Sequence, residues 1–226
     1  LIQALKANNP GKISEKMNKE KRAQLVLKRL KERYPHPESN LNWKNPWELL
    51  VATVLATQCT DERVNLVLPA FFDRYPSIAS LAHANIDEVE MIIRSTGLYR
   101  NKAKNLVRSA QILAQSHNST VPDNMQDLIA LPGVARKTAN IILYNAYNKN
   151  EGVAVDTHVK RLSYRLGLTD SKDQKQIEKD LMQLFESKYW GMLNHLLVFF
   201  GRDVCKARKP QCQQCELLAI CAQKGL

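Results

Sequence analysis

A chain of 226 residues with 44% hydrophobic content has the apolar material for a sizeable core, in one large domain or two modest ones, without disulfide staples. Its 33 lysines and arginines against 22 acidic residues give a net charge of +11. That charge points to a polyanionic partner, because phosphate contacts release counterions whatever the base sequence. No apolar run reaches transmembrane length and no secretory leader is visible, so the expectation is a cytoplasmic chain without membrane contact, organelle import being left open.

Residues 1–17 show little periodicity and read as an N-terminal extension or an expression remnant. From Lys19 to Tyr34, Ala23, Val26, Leu27 and Leu30 recur at helical spacing amid Lys21, Arg22, Lys28, Arg29, Lys31 and Arg33, which suggests a basic, solvated face. Pro35-His36-Pro37 ends that helix. Asn45-Pro46, a capping residue followed by proline at the first helical position, opens the next, Trp47 to Thr57. Being apolar nearly all round, it is expected to be buried. It stops at Thr57-Gln58-Cys59-Thr60-Asp61.

Asn85 with Glu88 is close to a capping box for a helix over 86–94, and Gly97 supplies the turn after it. Arg100, Lys102, Lys104 and Arg108 then follow Leu98 without an acidic neighbour, a one-sided charge unlike an ordinary salt-bridged helix. A helix over 123–130 leads to Leu131-Pro132-Gly133-Val134-Ala135-Arg136-Lys137-Thr138, and an apolar helix begins again at Ala139. The stretch reads as helix, tight hairpin, helix. Lys137 falls in the first turn of the second helix, where the positive end of the macrodipole disfavours a cation. The position suits a phosphate and a neutral amine.

Asp156, in Val155-Asp156-Thr157-His158-Val159, stands at a plausible N-cap. Helices over 174–186 and 189–200 supply core. Four of the five cysteines then fall within seventeen residues as C-x6-C-x2-C-x5-C, at Cys205, Cys212, Cys215 and Cys221. Thiols crowded in this way suggest a metal centre in an intracellular chain. Structural zinc favours paired short spacings, whereas a [4Fe-4S] cluster tolerates uneven loops, and disulfides come last. Cys59 is left over, expected as a buried free thiol.

The hairpin at 131–140, the Val-Asp-Thr-His-Val segment and the cysteine spacing together resemble the endonuclease III family of DNA glycosylases, over about residues 18–222. The family pattern more often has glycine where Ala135 stands. The resemblance implies an all-α, two-domain helix-hairpin-helix glycosylase fold. A helical barrel over 39–150 would carry the hairpin at about 125–147, and residues 18–38 with 151–226 would form a [4Fe-4S] cluster domain. The active site would lie in the cleft between them. By the same resemblance Lys137 is the nucleophile and Asp156 the catalytic carboxylate. Gln58 fills the hole left by a flipped nucleotide, Leu98 is a second wedge, and the basic start of the helix after it holds phosphates. Gly133, Ala135, Arg136, His158 and Lys209 make further DNA contacts, while the four cysteines hold the cluster in a structural role.

The implied activity is that of a monomeric, bifunctional DNA glycosylase and abasic-site lyase. It would remove oxidised pyrimidines from duplex DNA through a lysine Schiff base and β-elimination. One rival is a monofunctional adenine glycosylase, which lacks the lysine and carries a glutamate where Thr53 stands. Another is a non-enzymatic helix-hairpin-helix module that only grips phosphates.

Overall fold

A computed structural model describes residues 17–226, and the expected N-terminal extension lies almost wholly outside that range. The regular elements among the described residues are all helices, with no strand among them. No described helix is long and apolar enough to cross a membrane. The chain divides into two compact units, Ser39–Glu151 and a second one that joins the segment ending at Glu38 to Gly152–Leu226.

In the first unit, α2 (Pro46–Leu55) has Asn45 as N-cap, whose side chain accepts from the Glu48 N–H at 3.0 Å. The Glu48 carboxylate in turn accepts from the Lys44 N–H. Every residue from Leu49 to Leu55 is buried, so α2 is the central helix of this unit, packed against α3 (Asp61–Arg74), α6 (Tyr99–Ser116) and α8 (Arg136–Tyr147). Two short helices, α4 (Ile78–Ala82) and α5 (Ile86–Ile93), also pack on α6. The capping box expected at residue 85 is half made. Asn85 accepts from the Asp87 N–H, but Glu88 turns to Arg74 at 2.8 Å, because an ion pair and the Tyr75 hydroxyl compete for its carboxylate. The short α7 (Met125–Ala130), capped by Asn124, leads into the hairpin before α8.

The second unit gathers α1 (Lys19–Arg33), α9 (Thr157–Arg165), α10 (Gln174–Leu184) and α11 (Trp190–Asp203) around Val26, Leu30, Leu162, Leu181, Leu196 and Phe200. The basic face expected of α1 is not wholly solvated. Arg22 is buried and donates to the carbonyls of Ile220, at 3.0 Å, and Gly167, and Arg29 donates to that of Glu216. The Ile220 and Glu216 carbonyls lie within the cysteine segment, whose irregular backbone needs donors that its own turns do not supply.

Candidate active site

The hairpin owes its shape to Gly133, which turns at φ +82°. A Cβ added there would stand 2.9 Å from Asn105 Nδ2 on α6, so both backbone and space require glycine. Gly133→Ala is expected to cost at least about 1 kcal/mol, read as a lowered Tm. An unchanged Tm would show that the turn tolerates a side chain. Ala135, by contrast, is extended at φ −84°, ψ 166°, so alanine serves there without strain. It is the N-cap of α8 and brings no side-chain acceptor, which leaves the first-turn N–H groups of α8 uncapped by it. With Gly133, Ala135 and Arg136 exposed, this helix start has the makings of an anion site. Lys137 is half-buried in its first turn, and the Arg136 guanidinium reaches the Glu151 carbonyl at 3.3 Å.

Gln58 and Leu98 share an uncommon feature. Both are non-glycine residues in the left-handed region, at φ +54° and +48°, and both are exposed, Leu98 to 52%. Such a conformation is costly without a compensating role and recurs at functional sites. Gln58 follows the last turn of α2, and Leu98 is the N-cap of α6.

At the start of α6 one residue, Lys102, departs from the expectation that this basic helix start holds phosphates. Lys102 is only 4% exposed and points inward, its Nζ donating to the carbonyls of Leu55 at 2.8 Å and Thr96 at 2.7 Å. Burial pulls its pKa down, with the Cys59 side chain opposing the shift. Arg100 lies 3.9 Å from Glu90, so its charge is not unanswered. Ser109, two turns on, donates to the Pro132 carbonyl at 3.1 Å. The periodicity held a signal for this: Lys102 stands on the apolar stripe with Leu106 and Leu113. Cys59 is a free thiol as expected, but half-buried rather than buried. Thr53 is buried and its hydroxyl bonds to the Leu49 and Leu50 carbonyls of its own helix, an occupied position without a carboxylate.

In the second unit, Asp156 caps α9, its side chain accepting from the Val159 N–H at 2.8 Å. The carboxylate is half-buried, oriented, and near enough to His195 of α11 to influence it. Burial drives the His195 pKa down to about 4 against the opposing pull of Asp156, so its imidazole is neutral at pH 7. His158 is half-buried, its Nδ1 lying 3.3 Å from the Arg161 guanidinium.

Cys205, Cys212, Cys215 and Cys221 are half-buried free thiols and all line one hollow, with Leu166, Phe200, Val204 and Leu218. Burial pushes Cys215 up to about 11 and raises Cys221. Among the described residues no three His, Cys, Asp or Glu side chains converge as the ligands of a single metal ion. Two arginines of α9 hold the loop after Cys205. Arg165 donates to the carbonyls of Lys206 at 2.8 Å and Ala207 at 3.0 Å, and Arg161 to that of Cys205 at 3.0 Å. Lys209, exposed at the loop's tip, is again left-handed at φ +52°. Sequence reasoning missed Arg22, Arg161 and Arg165, whose carbonyl partners are far away along the chain.

A hairpin with an uncapped helix start, on a helical core, defines a helix-hairpin-helix protein. The family described as HhH-GPD superfamily base excision DNA repair protein matches residues 51–187. Endonuclease III of Synechocystis sp. (strain ATCC 27184 / PCC 6803 / Kazusa) is 48% identical over 204 residues, 90% of this chain and 93% of that protein. Endonuclease III of Bacillus subtilis (strain 168) is 39% identical over the same shares. A solved structure of a trapped endonuclease III–DNA covalent intermediate superposes with a TM-score of 0.87 at 39% identity, covering 92% of this chain and 97% of that one. The chain belongs to the endonuclease III family.

Proposed function

We propose that the protein is a base excision repair enzyme of chromosomal DNA, a DNA glycosylase and abasic-site lyase for oxidised pyrimidines, with Lys137 as nucleophile and Asp156 as its carboxylate partner. The observation that carries this reading is Lys137 itself, a half-buried amine in the first turn of an uncapped helix N-terminus. Backbone N–H groups there can hold a phosphate beside the lysine, whose amine lone pair is the nucleophile of the proposed reaction. Likeness to a relative trapped covalently on DNA supports the same chemistry.

The damaged nucleotide leaves the stack, and Gln58 and Leu98 take up the space. The Lys137 Nζ lone pair bonds to C1′ and the glycosidic bond breaks, its electrons leaving with the base. Asp156 stabilises positive charge developing on the sugar and accepts a proton from the secondary ammonium that the attack leaves on Nζ. The sugar ring opens as the nitrogen forms an iminium to C1′. Loss of a C2′ proton then expels the 3′ phosphate, and water releases Lys137. Arg136, His158, Lys209 and the backbone at Gly133 and Ala135 contact the duplex. Thr53, with no carboxylate to offer, disfavours the adenine-glycosylase alternative.

The four cysteines suit a [4Fe-4S] cluster. They line one apolar hollow, and their uneven C-x6-C-x2-C-x5-C spacing suits a polynuclear centre better than a single zinc. Buried thiols with raised pKa are costly to ionise, and a metal centre supplies the compensating charge. Held by Cys205, Cys212, Cys215 and Cys221, the cluster would tie down the loop that carries Lys209, and no step of the proposed reaction draws on it. Metal analysis of protein purified without oxygen is expected to find iron and sulfide in equal amounts, and zinc in their place would overturn the assignment.

Borohydride trapping tests the activity. A duplex with one oxidised pyrimidine, mixed with protein and reduced, is expected to give a covalent adduct on a denaturing gel. Base release without an adduct would establish a monofunctional glycosylase. Neither adduct nor release, on duplexes with oxidised pyrimidines or an abasic site, would establish a DNA-binding module.

A further inference from the structure

We propose that Lys102 is a positioning residue for nucleotide flipping, the tie that fixes the loop bearing Gln58 against the loop bearing Leu98. The inference rests on the reading of those two side chains as the ones that enter the duplex.

One ammonium spans both loops. Its acceptors are the carbonyl of Leu55, three residues before Gln58, and that of Thr96, two residues before Leu98. The Leu55 carbonyl ends α2 and is among those that no further helical turn can pair, and the negative end of the helix favours a cation there. Lys102 and Thr96 are both buried, whereas Gln58 and Leu98 are both exposed. The tie is therefore inside and the side chains it positions are outside.

Two left-handed residues in separate loops gain nothing from each other unless their backbones are held at one spacing. Lysine suits that task because its three N–H donors radiate from one atom and reach carbonyls in different directions. The same face of α6 also anchors the hairpin. Asn105 lies under Gly133, and Ser109 donates to Pro132, so residues 102, 105 and 109 form one stripe beneath three loops. A spacing held from within lets the side chains meet the duplex preformed, without ordering two loops at the moment of binding.

The test compares affinity for a duplex bearing a tetrahydrofuran abasic analogue with affinity for the same duplex undamaged. Lys102→Met keeps length and bulk but has no donor, and it is expected to lose about tenfold of the preference for the abasic duplex. Affinity for undamaged duplex should stay unchanged. Lys102→Gln, which retains two N–H donors, should recover part of the preference. In the Lys102→Met/Leu98→Ala double variant the losses should not add, because both act on one element.

A Lys102→Met protein with the wild-type preference would overturn the proposal, provided Gln58→Ala and Leu98→Ala lose theirs. So would failure of both Lys102 variants to fold, which would make Lys102 a residue of the core alone. If Gln58→Ala and Leu98→Ala keep the full preference, the assignment of the wedges falls first and the inference with it.

Discussion

Lys137→Ala is expected to abolish both the borohydride-trapped adduct and strand cleavage, by at least about four orders of magnitude, while duplex binding persists. The separation follows from where the groups lie. In the proposed function, phosphate recognition at the hairpin is assigned to the backbone N–H groups of the α8 start and to Gly133, none of which the substitution removes. The covalent step needs an amine lone pair, which alanine lacks. Lys137 is half-buried, so its truncation opens no large cavity, and Tm should move little. Gel trapping, a nicking assay and a binding titration on one preparation check the three parts together. Retained cleavage would assign the nucleophile to another residue, and lost binding would make Lys137 a phosphate contact.

Asp156→Asn isolates a charge from a cap. Asparagine caps helices about as well as aspartate, and its side-chain oxygen can still accept from the Val159 N–H. Stability should therefore stay within about 0.5 kcal/mol of the parent. The carboxylate is gone, and with it the stabilisation of positive charge on the sugar and the acceptor for the lysine proton. The expected loss in kcat is on the order of 100- to 1000-fold. Asp156→Ala removes both functions and should cost about 1 kcal/mol more in stability. Full activity in Asp156→Asn would reduce the residue to a helix cap.

The places of these two residues, in a first helical turn and at an N-cap, were legible because their signals are local. A Pro-Gly break between apolar runs gives a hairpin, and a lysine four positions after the glycine falls in the first turn of the next helix. An aspartate just before a periodic run is a cap by stereochemistry, whatever else it does. The cysteine spacing is equally local. The hairpin's reliance on Gly133 and the extended backbone at Ala135 needed coordinates, since φ at each position depends on what packs beneath it.

The arginines and Lys102 show where such reading stops. A cationic side chain in a basic run is most economically placed in water, and that holds for most of this chain's charge. Arg22 and Lys102 depart from it because carbonyls distant in sequence lack partners of their own, and an unpaired buried carbonyl costs more than drawing a long side chain inward. Helix positions, caps, the hairpin and the thiol cluster were thus determined by the amino-acid sequence acting over a few residues. Which cations turn inward to hold the loops was decided only by the tertiary structure, because the acceptors exist only once separate segments have packed.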